Sequence, residues 1–104
     1  MMSFDAEPVV YQRTAWSDLQ GAWETLRAAI VEAHPFPDWQ RLLFHVDEGM
    51  SWDSVNDLNR MRKALTLVEN IAAQTQLPAD VIEQIAGVRE SFQELLEAMA
   101  EGEA

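Results

Sequence analysis

The sequence predicts an all-α domain, a small helical bundle of three longer helices and one short helix built on an antiparallel hairpin of about residues 52–76 and 78–100. Two observations predict it. Apolar residues recur at steps of three and four along three separate stretches, the spacing that lines one face of a helix. Proline or glycine punctuates the joints, and polar residues able to cap a helix stand beside them.

Residues 1–13 carry no helical period, and Pro8 followed by Val9, Val10 and Tyr11 reads as an extended arm. The first helix is expected from about Thr14 to His34, with Ser17 and Gln20 as a capping box. Trp16, Leu19, Trp23, Leu26 and Ile30 form its apolar seam. Gly21 is an interior glycine that a close helix crossing beside Trp23 would explain. Pro35 and Pro37 end the helix. A short helix follows over about Asp38–Asp47, with Asp38 as N-cap, Trp39, Leu42, Leu43 and Val46 as its apolar side, and Gly49 as its left-handed terminator.

The third helix starts at Ser51 or Asp53 and runs to about Thr75. Leu58, Met61, Leu65, Val68 and Ala72 form its seam, and Ala64, Leu67 and Ile71 widen the apolar face to nearly half the circumference. A bundle edge needs a narrower stripe, so Ala64, Leu67 and Ile71 are read as the interface of a homodimer. The break at Leu77-Pro78 is short, which makes helices three and four antiparallel neighbours. The fourth helix, to Ala100, buries Val81, Ile85, Val88, Phe92, Leu95 and Met99. On its opposite face Glu83, Glu90, Glu94, Glu97 and Glu101 fall within about 60° of one another, forming an acidic rail. Residues 101–104 should fray, because their carboxylates crowd the negative end of the helix dipole. The chain is thus one helical domain over residues 14–100, with an arm before it and a tail after it.

The 104 residues suffice for one core, and a hydrophobic content of 48% argues against disorder. The chain has no cysteine, which excludes disulfides and thiolate chemistry. The N-terminus lacks the basic flank and apolar run of a secretory signal, so a cytoplasmic location is expected. Eighteen acids against seven bases give a net charge of −11. Such a charge repels free nucleic acid and anionic membranes and attracts basic protein surfaces.

No catalytic or cofactor motif is present. His34 reads as a helix-end residue, and His45 beside Asp47 and Glu48 lacks the third ligand of a metal site. Arg60, Arg62 and Lys63 spread around their helix rather than lining a stacking platform. The expectation is a protein that is not an enzyme and takes no cofactor or metal. It reads as a small acidic regulator or inhibitor that binds a basic surface of a nucleic-acid-binding partner, in the manner of an anti-activator, an antitoxin or immunity protein, or a phage anti-CRISPR. The rail would carry the binding, with Trp52 and Met50 as apolar anchors. The alternative is a homo-oligomeric assembly or chaperone-like module built on helix three.

Overall fold

Four ladders of apolar residues become four helices: α1 (Ser3–Ala33), α2 (Trp39–Ser54), α3 (Leu58–Gln74) and α4 (Ala79–Glu103). The computed structural model describes the backbone of residues 3–103 and the side chains of 13–102. No strand occurs among the described residues, and none of the four helices is long and apolar enough to cross a membrane.

Consecutive helices run antiparallel, as the cross-helix pairs show. Trp23 and Arg27 of α1 meet Gly49 and Asp47 of α2, so one helix ascends as the other descends. Asp38 at the start of α2 accepts a 2.6 Å hydrogen bond from Thr75 at the end of α3. Glu69 of α3 meets Arg89 of α4. The ring closes through α1 and α4, which share the most extensive interface, while α2 packs chiefly on α3. The expected hairpin of α3 and α4 is present but forms the thinnest of the four contacts. Bulky groups hold it apart and together: Phe92 is buried with the guanidinium of Arg62 on one helix and Arg89 on the other, 5.6 and 5.5 Å from its ring centre.

The core follows the predicted seams. Leu19, Trp23, Leu26 and Ile30 of α1 are fully buried with Leu42 and Val46 of α2. Met61, Leu65 and Val68 of α3 and Val81, Val88 and Leu95 of α4 complete it. Each such side chain contributes on the order of 1.5–3 kcal/mol when withdrawn from water.

The helix ends depart from expectation in four places. First, α1 begins at Ser3, so residues 3–13 are helical rather than an extended arm; residues 1 and 2 lie outside the described residues. Propagating a helix already nucleated on the core is far easier than starting one, so the missing period before Thr14 did not stop it. Ser17 and Gln20 therefore lie within α1 and form no capping box. Second, α2 passes through Gly49 and ends at Ser54, giving it 16 residues. Third, the break before α3 falls at Val55–Asp57. Asn56 there adopts the left-handed conformation (φ 57°), and the Asp57 carboxylate caps α3 through the Arg60 amide at 3.1 Å. Trp52 and Asp53 thus belong to the end of α2 and not to the first turn of α3. Fourth, α4 continues to Glu103, past the expected fraying point; residue 104 lies outside the described residues.

Asp38 does occupy the N-cap position of α2, but its carboxylate faces Thr75 and makes no cap bond. Gly49 exists for a different reason than termination. A Cβ there would lie 2.5 Å from Cη2 and 2.6 Å from Cζ2 of the buried Trp23 ring. The close crossing beside Trp23 is real, but its glycine is Gly49; at Gly21 nothing lies within 4 Å of the place a Cβ would take.

These two glycines give opposite expectations. Gly49→Ala forces the Trp23 ring or the α1/α2 spacing to shift and should cost about 1–3 kcal/mol. Gly21→Ala removes only backbone freedom from a helix interior and should stabilise by about 0.5–1 kcal/mol. Urea denaturation of both variants checks this; equal effects would mean that Trp23 does not press on Gly49.

Candidate functional site

The acidic rail forms as the periodicity of α4 requires. Glu83, Glu90, Glu94, Glu97 and Glu101 all lie on the outer side of the helix, away from its buried seam. Their surroundings divide in two. Glu83 and Glu90 border a shallow hollow with Gln84, Gly87 and Arg89, whose guanidinium is committed to Glu69 through bonds of 2.9 and 2.6 Å. Glu94, Glu97 and Glu101 line a groove against α1 with Thr14, Ala15, Ala98 and Asp18.

Asp18 is a contribution the sequence did not flag. It flanks Leu19, and nothing in the order of residues says that this part of α1 faces the end of α4. The pairing arises because Glu24 lies near Asp53 at the end of α2, so the N-terminal half of α1 runs past the α2–α3 turn and has α4 as its partner. The groove therefore holds four carboxylates, and no arginine or lysine lines it among the described residues.

Four of the described bases are engaged elsewhere. Arg27 meets Asp47 at 2.8 Å, and Arg41, Arg60 and Arg89 pair with Asp38, Asp57 and Glu69. Arg89 borders the Glu83/Glu90 end of the rail, and none of these four pairs lines the groove against α1. The Asp47 carboxylate raises the already high pKa of Arg27 through its hydrogen bond and its charge. Exposed pairs of this kind add little stability, but they consume cations that could have neutralised the groove.

Trp52 and Met50 lie apart from the rail. Trp52 is half-buried at the end of α2 with the Arg60 guanidinium 4.8 Å above its ring. Met50 is half-buried in a groove between α1 and α2 lined by Glu24, Arg27, Ala28, Val31 and Glu32. The fold does not bring either of them to the acidic groove. Of the three residues read as an oligomer interface, Ala64 and Ile71 are each 3% exposed and covered within the chain, and Leu67 alone is open, at 42%. The packing of α2 on α3 accounts for the width of that apolar face.

The histidines have local partners. His45 Nδ1 lies 2.8 Å from Glu48 Oε1, one turn along α2, and His34 Nδ1 meets the Val31 carbonyl. Among the described residues no three histidine, aspartate or glutamate side chains gather to hold a metal ion.

Sequence reasoning also passed over a second polar feature, at the α1/α2 crossing. Asp53 is 4% exposed in the last turn of α2, and no side-chain hydrogen bond reaches its carboxyl among the described residues. Burial, and then the charge of Glu24, push that carboxyl up to about 6. Next to Glu24 in the chain, the buried indole nitrogen of Trp23 has no hydrogen-bond partner among the described residues. No family model, curated protein or solved structure matches this chain.

The sign of the Asp53 effect follows from linkage. A carboxyl that ionises near 3.8 unfolded and about 6 folded burdens the native state as pH rises through that window. The burden is at most about 3 kcal/mol by neutral pH and is reduced by whatever solvent still reaches the carboxyl oxygens. Asp53→Asn should therefore stabilise the protein at pH 7 by up to that amount, with the gain vanishing below about pH 4. Denaturation of both proteins across pH measures it; a gain independent of pH would assign the effect to packing instead.

Proposed function

We propose that this chain is a protein-binding module, a regulator or inhibitor, whose acidic face docks on a basic surface of its partner. The observation that carries the reading is the α1/α4 groove, where Asp18, Glu94, Glu97 and Glu101 converge with no base among the described lining residues. Like charges at helical spacing of three and four each cost a few tenths of a kcal/mol, so the rail weakens its own helix. A basic partner relieves that repulsion and is drawn in by the field of a chain of net charge −11. A surface that normally holds nucleic acid has the required lysines and arginines, which makes a nucleic-acid-binding protein the partner class that fits best. Binding by charge of this kind needs no catalytic group on the chain.

A second reading is favoured by a different face. Phe44, 59% exposed, lies edge-on to His45 with ring centres 5.3 Å apart. His45 in turn shares a groove with Leu67, Asn70 and Gln74 between α2 and α3. An open phenylalanine and leucine on one helix pair support self-association there. Sedimentation equilibrium at micromolar concentration, with Leu67→Gln beside the native chain, decides this reading: a dimer weakened by the substitution supports it, and a monomer ends it.

The main reading is tested by reversing the rail. In the Glu90→Lys, Glu94→Lys, Glu97→Lys triple variant, stability should change by about 1 kcal/mol or less, because the three side chains lie outside the core. Partners captured from native cells by the wild-type chain should be lost by the variant, and wild-type binding should weaken as salt rises. Equal capture by both proteins, insensitive to salt, would reduce the rail to a solvated face.

A further inference from the structure

We propose that the α1/α2 crossing is a pH-sensitive latch: protonated, Asp53 stays packed beside Glu24 and keeps the last turn of α2 closed; ionised, it drives that turn and the α2–α3 connection open to water. The geometry supplies each part. Asp53 is withdrawn from solvent at the carboxyl end of α2, where the helix dipole already disfavours a negative charge. The neighbouring element α1 presents Glu24, a second acid. Arg27, one turn further along α1, is held by Asp47. On α2 itself, Glu48 is occupied with His45. On the side of α3, Asp57 and Arg60 pair with each other, and Arg60 also covers Trp52. Arg27 on α1 and Arg60 on α3 thus each already have an acid of their own.

The part of the fold that would yield is short and specific. The turn after α2 is closed by three backbone bonds. The carbonyl of Trp52 accepts from the amides of Val55 and Asp57 at 3.3 and 2.9 Å, and that of Asp53 accepts from Asn56 at 3.0 Å. Asn56 is left-handed, a conformation asparagine adopts more readily than other non-glycine residues and one that suits a tight turn. Opening these three bonds hydrates Asp53 without disturbing the buried seams of α1 and α4. Burial and Glu24 set the carboxyl at about 6, so the latch titrates just below neutral pH.

The experiment uses the full chain. Carbon-detected NMR follows the Asp53 carboxyl through pH, and hydrogen exchange follows the amides of Val55, Asn56 and Asp57 after correction for the intrinsic rate. The carboxyl should titrate near 6, and protection of the three amides should fall about tenfold between about pH 5 and 7.5. Asp53→Asn, isosteric with the protonated acid, should show high protection at every pH, and Glu24→Gln should lower the midpoint. A carboxyl that titrates at the ordinary aspartate value overturns the proposal. So does protection that ignores the titration, a pH dependence that persists in Asp53→Asn, or a midpoint unmoved in Glu24→Gln.

Discussion

The contact between Trp23 and Gly49 sets the spacing on which the rest of the bundle depends. The largest side chain of the core lies fully buried in α1, and its ring seats against α2 only because no Cβ stands beneath it. That approach brings α2 close enough to place Leu42 and Val46 in the core and to put Asp53, one turn beyond the glycine, out of water. It also strands the indole N–H, a group whose desolvation without a partner costs roughly 1–3 kcal/mol. Tight packing and poorly satisfied polar groups thus occur at the same crossing, and the strain of the second is tolerated because of the first.

The opposite side of the ring is built on different physics. Where α1 and α2 touch closely, α3 and α4 stand apart and are bridged by long side chains. The Arg89–Glu69 fork and the guanidinium groups around Phe92 fill the gap with charge-assisted and cation–π contacts. A phenylalanine buried under arginines needs no close backbone approach. Two of the chain's seven bases are thereby spent on internal structure, which deepens the charge imbalance of the outer face of α4.

That imbalance connects composition to surface. A net charge of −11 spread evenly would leave only a weak field at any one point. The fold concentrates it, since the overlap of α1 and α4 beyond the α2–α3 turn adds Asp18 to a row of glutamates and, among the described residues, supplies no base to the groove. The Arg–Asp and Arg–Glu pairs among the described residues lie elsewhere, on the C-terminal half of α1, on α2 and α3, and in the middle of α4.

The helical class, the core seams and the composition of the rail were legible in the sequence, because each depends on residues three and four apart on a single helix. Leu19, Trp23, Leu26 and Ile30, or Glu90, Glu94 and Glu97, share a face whatever surrounds them. The proline break after His34 was legible for the same local reason. What required tertiary structure was every decision involving two helices. Gly49 reads as a terminator until Trp23 is seen beneath it, and Ala64 and Ile71 read as an open interface until α2 is laid upon α3. Asp53 reads as a cap until α2 is found to run through it to Ser54. Local spacing determines which side chains share a face, but the partner of that face, and hence the burial, charge and ionisation of the residues on it, is set only when helices distant in sequence are brought together.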